Sequence, residues 1–392
     1  MDPDEMLQEC DREVQVLLPE VPRPEQKALA TVLCGVVAAG SVVLSQVSLR
    51  MPGAATAPSQ QQRAQRLVSN ERLEVARAQR RLLRRVLGQQ RGRSGRVDLL
   101  LDATVRGTTA HHAGTVTWCL ALAWHRRALP LVWRTWASQA RDQDWRGAMR
   151  AMVAAVQAEL PPGVEVVVLV DRGLSGAELA RTVLAAGWHF LWRVIRTTRL
   201  RQADGTVGVS GALVTAPGQR VYVNASRLYA PRTNGRAGAG AGGWQSHWDQ
   251  AVAANGVAVW RRGEADPWLV ATDLPACGAR VVEYRRRTWE EELFRDLNSL
   301  GWQWQASRIR DPEHVQRLLL VLALALATLW MVALAQRLVR RGQRRQVDTR
   351  HRRTYSYFQL GRRWFAHRLT THLPIPCLFS LWAEPSAPLK LS

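Results

Sequence analysis

Two rhythms of hydrophobic and polar positions divide this 392-residue chain. Residues 1 to about 50 read as helices, and "MPGAATAPSQQQ" (Met51 to Gln62) reads as a linker from its Pro, Gly, Ala and Gln content. "SNERLEVARAQRRLLRRVLG" predicts a helix: Ser69 or Asn70 is its N-cap, Glu71 and Glu74 lie in the first turn, arginines in the last turns, and Gly88 terminates it. From Val97 the rhythm changes. "VDLLLDAT", "GTVTWCLALAW" and "LPLVWR" are short apolar runs suited to buried strands; "DWRGAMRAMVAAVQAEL" is an amphipathic helix, "VEVVVLVD" a β-branched strand, "SGAELARTVLAAG" a capped helix and "WHFLWRVI" a fifth strand. The order β-β-β-α-β-α-β predicts an α/β fold, a mixed sheet with helices packed against it.

After Ile195 the regularity lapses for about eighty residues. Strand-like runs such as "RVYVNASRLY" and "VAVWRR" surround the glycine-rich "NGRAGAGAGGW", which predicts an inserted, mostly β subdomain. The core pattern returns with "PWLVATDLP" and the charged helix that starts at Tyr284. The expected division is a helical N-terminal region (1–95), a first core part (96–195), the β-rich insertion (196–275), a second core part (276–336) and a basic C-terminal region (337–392).

"LLLVLALALATLWMVALA" (Leu318 to Ala335) is 18 uncharged residues followed by arginines, enough for a membrane span. A helix in the centre of a large domain is equally apolar. The acidic start "MDPDEMLQECDRE" lacks the features of a secretory signal. Cys10, Cys34, Cys119, Cys277 and Cys377 are scattered without a Cys-x-x-Cys pair, which argues against a zinc site or a disulfide framework and for a reducing cytoplasm.

Charge sharpens the picture. Fifty-four basic against 32 acidic residues leave a net +22, and Lys27 and Lys390 are the only lysines. A codon bias explains Arg in place of Lys but not the excess, which points to a polyanionic partner, above all nucleic acid. Arg337 to Arg368 is densely basic and interleaved with Tyr355, Tyr357, Phe358 and Trp364, a mixture suited to phosphate contacts with stacking. A solvated basic helix has the same composition. Gly238, Gly240 and Gly243 form a Gly-x-Gly-x-x-Gly with no strand before it or helix after it, so a loop is expected there. His111 and His112 lack nearby partners and fit a turn.

Two core strands carry acids at their ends, Asp102 and Asp171. Were those strands neighbours, the two carboxylates would meet at one end of the sheet and repel unless cations lay between them; hard oxygen ligands select Mg²⁺ or Mn²⁺. Turn and cap roles are the ordinary alternative. On a helical wheel of "YRRRTWEEELFRDLNSLG", Trp289, Leu293, Leu297 and Leu300 form the core stripe, and Tyr284, Arg287, Glu291, Arg295 and Asn298 line the opposite side, with Glu290 and Glu292 flanking. Glu291 is therefore the acid that shares a face with Tyr284 and Arg287.

Asp102 in "LLLDAT", Asp171 in "VVLVDRG" and the spacing Tyr284, Arg287, Glu291 resemble the DDE transposases of bacterial insertion sequences, in particular the group with a Tyr-x2-Arg-x3-Glu-x6-Lys signature. "RALPLVW" and "GWHFLWRV" also look like that family, so the resemblance spans roughly residues 97 to 365. It implies an RNase H-like core with a β-rich insertion before the glutamate-bearing helix. It further implies that Asp102, Asp171 and Glu291 coordinate two Mg²⁺ ions (Mn²⁺ substituting) about 4 Å apart. The reaction implied is cleavage at transposon ends followed by transfer of the freed 3′-OH into target DNA.

Tyr284 and Arg287 are then expected to hold the DNA backbone, and one of Trp260, Trp268, Trp289 and Trp302 to trap a flipped base. The signature lysine falls at Asn298, an uncharged amide, with Arg295 one turn earlier as a substitute. Double-stranded DNA (terminal inverted repeats and target), a homodimer in the DNA complex, no membrane and a cytoplasmic, nucleoid-associated location follow from the same resemblance. The N-terminal helices and the basic C-terminal stretch are the expected contacts to the element's end. The competing expectation is a transposase-derived DNA-binding protein that has lost catalysis.

Overall fold

The computed structural model describes residues 3–88, 95–107, 114–124, 126–140, 143–174, 176–229, 251–298, 301–325, 334–339 and 342–375. Its centre is one ten-stranded mixed sheet in the order β3-β2-β1-β4-β5-β10-β9-β8-β6-β7. The strands are β1 (Arg96–Arg106), β2 (Thr115–Trp124), β3 (Arg127–Ala137), β4 (Glu165–Val170), β5 (His189–Arg193), β6 (Arg199–Arg201), β7 (Val207–Val209), β8 (Arg220–Tyr229), β9 (Val252–Val259) and β10 (Trp268–Thr272). β1, β4 and β5 run parallel and every other pairing is antiparallel. The mixed sheet with helices on both faces is the RNase H-like arrangement expected.

β4 is central and parallel on both sides, which removes both of its faces from water. Val166, Val167, Val168, Leu169 and Val170 are accordingly all buried, contributing roughly 10 kcal/mol of apolar transfer free energy. Its register decides the site: Leu101 of β1 pairs with Val170 of β4, so Asp102 and Asp171 lie side by side where β4 ends, although β1 runs on to Arg106 and Asp102 is inside that strand rather than near its end. β3 lies at the sheet edge, and Pro130, which has no N–H to donate, sits where the β2–β3 register shifts.

On one face, α6 (Trp145–Gln157) is capped by Asp144, which accepts from the Gly147 amide at 2.8 Å, and packs beside α7 (Ala177–Ala185). Trp118 and Trp136 from the sheet stack with Trp145 here. On the other face lie α9 (Thr288–Leu297) and α10 (Pro312–Ala325), with the Trp133 indole donating to the Gln316 carbonyl at 3.2 Å.

The N-terminal helices are α1 (Pro3–Leu17), α2 (Arg23–Ala39), α3 (Leu44–Ser48), α4 (Ala57–Val68) and α5 (Val75–Gly88). α4 begins inside the stretch whose composition reads as a linker, with Pro58 in its first turn, where a missing N–H costs nothing. α5 starts at Val75 rather than beside Asn70, because residues 69–74 form turns in which the Asn70 side chain accepts from the Arg72 amide. α2, α4 and α5 wrap α10, whose residues Leu318 to Leu324 are buried against them and β3. The described part of the apolar run thus packs on protein; residues 326–333 lie outside the described residues, and among those no helix is long and apolar enough to cross a membrane.

The inserted strands β6 to β9 join the core sheet through β9 on β10 instead of forming a separate layer. The glycine-rich loop at Gly238, Gly240 and Gly243, the pair His111 and His112, Leu300 and Cys377 lie outside the described residues. α11 (Tyr357–Thr370), opened by a Ser356–Gln359 capping box, is tied back by Arg362, which donates to the carbonyls of Gly40 (3.1 Å) and Gly301 (2.5 Å). Gly40 ends α2 in the left-handed region at φ 59°, and a Cβ there would press on the Arg362 stem at 3.0 Å.

Candidate active site

The segment before α9 is not one regular helix. α8 (Gly278–Tyr284) tightens into a 3-10 turn at Arg285–Arg287 before α9 starts. A turn of three residues stacks positions i and i+3, so Tyr284 and Arg287 both face the end of the sheet. Ion pairs fasten this segment to β1: Arg286 binds Asp98, Arg96 donates to Asp98 (2.9 Å) and Glu283 (3.1 Å), and Arg280 donates to Glu283 (2.6 Å).

Arg287 is the hub of the site. Its side chain is 7% exposed, and Nη2 donates to Asp102 Oδ2 at 2.8 Å and lies 3.7 Å from Asp171 Oδ2, while Nη1 donates to Glu291 Oε1. Three acids from β1, from the loop after β4 and from α9 therefore share one guanidinium. The Tyr284 hydroxyl completes the corner, donating to the Val170 carbonyl at 3.2 Å and reaching Asp171 Oδ1 at 3.4 Å.

Burial raises the Asp102 carboxyl above its ordinary range; the Arg287 charge and the Ala103 amide, which donates at 2.8 Å, oppose that, and the charges of Asp171 and Glu291 reinforce it. Burial and the Asp171 charge likewise push the Tyr284 phenol upward, so it stays a donor at any physiological pH. Burial works against the Arg287 charge, yet Asp102 and Asp171 outweigh it and hold the guanidinium protonated.

Asp102, Asp171, Glu291, Tyr284 and Arg287 thus converge. Arg295 and Asn298 do not join them. Arg295 lines a separate groove alongside α9, and Asn298 leaves the helix in an extended conformation with its Oδ1 buried and without a hydrogen bond among the described residues. Among the four tryptophans named from the sequence, Trp268 meets Tyr284 edge-on at 5.9 Å and carries Arg193 over its ring at 5.3 Å. Trp302 is core, packed on Phe358; Trp260 lies under Arg196, and Trp289 borders the groove.

Two residues escape the sequence pattern. Arg193, the last residue of β5, places a cation near Tyr284; its place at the end of a strand parallel to β4 is the signal that could have found it. Glu290 is completely buried, and both of its oxygens lack a well-formed hydrogen bond. Burial holds it protonated well above the ordinary range, the neighbouring Asp102 charge adds to that, and Arg287 and the Asp102 amide only partly counter it.

Residues 138–328 match the family described as the Transposase DDE domain. Over that segment the chain is similar to the DDE transposases. The match takes in Asp171 and Glu291 and begins at the end of β3, so Asp102 lies outside the matched segment and is brought beside Asp171 by the register of β1 on β4. No curated protein matches the chain. Divalent metal ions serve this transposase family generally. Among the described residues no group of three acids is placed to hold a metal ion as it stands; the three that converge here do so on the Arg287 guanidinium, which lies between them. The donor chemistry nevertheless suits a hard divalent cation, all carboxylate oxygen around a position that already holds positive charge.

Proposed function

We propose that the protein cuts DNA at the ends of an insertion sequence and joins the freed 3′ ends to target DNA, with Asp102, Asp171 and Glu291 as its catalytic acids. The observation that carries this reading is the gathering of those three acids, from three elements far apart in sequence, onto Arg287. They would hold Mg²⁺ or Mn²⁺, which supplies Lewis-acid activation of the attacking and leaving oxygens of an in-line displacement.

The chain's own groups do the remaining work. Arg287 compensates the acids while DNA is absent and turns to a backbone phosphate when DNA arrives, exchanging carboxylate for phosphate oxygens of the same hydrogen-bonding geometry. Tyr284, anchored on Val170, holds Asp171 in place during that exchange. Arg193 on Trp268 adds positive potential where the strand enters. A dimer on paired ends is part of the proposal, since both ends must be cut and joined together.

The test uses purified protein, Mg²⁺ or Mn²⁺, and DNA bearing the sequences that flank the gene. Metal-dependent nicking at the 3′ ends that disappears in Asp102→Ala and Glu291→Gln is expected. DNA binding without any cleavage, in Mn²⁺ as well as Mg²⁺, would overturn the enzymatic reading in favour of a decayed, DNA-binding transposase.

A further inference from the structure

Beside the catalytic corner, a groove of about 490 Å³ opens between the β2–β3 hairpin, α9 and the start of α11. Arg126, Arg295 and Arg353 stand at its wall, with Arg127 deeper in it. Arg127 is spent on Glu292. Among the described residues Arg126 and Arg295 form no ion pair, and Arg353 is held by stacking, its guanidinium 4.0 Å from the Tyr357 ring centre. The remaining acid of the groove, Asp296, is buried beneath it.

The backbone of Arg126 makes a second, independent point. It sits at φ 64°, in the left-handed region that glycine or asparagine adopts far more cheaply in a tight hairpin. The hairpin therefore carries a strained arginine where an unstrained residue would close the turn equally well, and the exposed side chain gained by that strain lines the groove. Three cations without acid partners among the described residues, drawn from three segments that together span more than 200 residues of sequence, fit a ligand that is anionic, extended and outside the protein.

We propose that this groove binds consecutive backbone phosphates of the DNA strand that runs past Glu291, with Arg126, Arg295 and Arg353 as the contacts. The proposal rests on the transposase reading and deepens it: Arg295 lies one turn beyond Glu291, so the grip adjoins the reacting phosphate and fixes the strand's direction across it. The contacts are to phosphate and carry no base sequence.

The experiment measures binding of a fluorescent duplex carrying the flanking sequences to the full chain across a salt series, with thermal melting in parallel. Arg126→Gly is expected to melt at or above the wild-type temperature, since glycine relieves the turn. It should nevertheless bind roughly tenfold more weakly at 0.1 M salt, with the slope of log K against log salt reduced by about 0.9. Arg126→Asn keeps the turn by a different side chain and gives the same loss. The triple variant Arg126→Gly, Arg295→Gln, Arg353→Gln lowers the slope about threefold as much. A neutral methylphosphonate beside the scissile phosphate should weaken the wild type and leave the triple variant unmoved. Unchanged affinity and slope in the triple variant, in a protein whose wild type still cleaves, would overturn the groove alone. A wild type that cleaves nothing overturns the transposase reading instead.

Discussion

The carboxylate corner and the neighbouring groove use the same residue types in opposite ratio. In the corner Asp102, Asp171 and Glu291 surround a single buried arginine; in the groove, among the described residues, Arg126, Arg295 and Arg353 form no ion pair, while the nearby acids are paired or buried. The corner can accept more positive charge and the groove more negative charge. A net charge of +22 is thus an average that conceals a corner rich in acids.

The sharpest way to break that contrast is to remove an acid from the corner. Asp102→Ala should slow metal-dependent nicking by about 10³-fold, the equivalent of about 4 kcal/mol of transition-state stabilisation. Duplex affinity in EDTA, measured by anisotropy, should stay within a factor of two or so, about 0.4 kcal/mol. Equal losses in both assays would merge the two regions into one.

Removing the cation instead is expected to cost stability. Arg287→Ala leaves three acids facing one another, and chemical denaturation in EDTA should show a loss of roughly 3 kcal/mol, as for other broken buried ion pairs. Mn²⁺ should restore much of it, since an ion can take the guanidinium's place. A loss that Mn²⁺ does not touch would mean that Arg287 is a plain structural strut.

Each region also conceals one buried acid: Glu290 beneath the corner, Asp296 beneath the groove. Burial raises the Asp296 carboxyl to about 7, with Arg127 opposing and Glu292 adding to the rise. The folded chain then keeps a proton that the unfolded chain releases near pH 4, so this group's contribution to stability is fully present below about pH 4 and falls as pH rises toward 7. Asp296→Asn should flatten that decline and stabilise the protein at pH 8. The net gain is on the order of 2 kcal/mol, the ionisation penalty relieved less the desolvation of the new amide. Urea midpoints between pH 5 and 8 measure it, and an unchanged slope would place Asp296 in water. The smallest effect belongs to Arg295→Gln: a change in unfolding free energy within about 0.5 kcal/mol, because this cation forms no ion pair among the described residues.

Much of this arrangement is legible in the residues. The apolar runs around Leu100 and Val168 are short and apolar enough to be buried strands, but Asp102 lies within β1, which runs on to Arg106, and meets Asp171 where the β1–β4 ladder ends. The wheel correctly sets Leu293 and Leu297 inward. It does not foresee that the 3-10 turn at Arg285–Arg287 rotates the start of the helix, which sends Glu290 into the interior beside Asp102 rather than to a flank. Periodicity assumes an unbroken helix, and a change of turn is a tertiary decision, made here by the pairing of Arg286 with Asp98 across 188 residues. The same blindness affects Met51 to Gln62. Small residues read as a linker, yet Ala64, Leu67 and Val68 a few positions on find α10 to cover, and that pulls the preceding turn into α4.

The clasp of α2, α4 and α5 around α10 has a temporal side. Ribosomes deliver α2 first, and α10 follows roughly 270 residues later, about 15 to 50 s at ~5–20 residues per second. Until then the faces of α2, α4 and α5 that receive α10 wait for it, and the Gly40 end of α2 waits longer still for Arg362 of the last helix. A chain assembled this way leaves the α10-facing surfaces of its N-terminal helices uncovered for that interval on every round of synthesis. Its yield in the cell is therefore set as much by holding chaperones and elongation rate as by the stability of the finished fold.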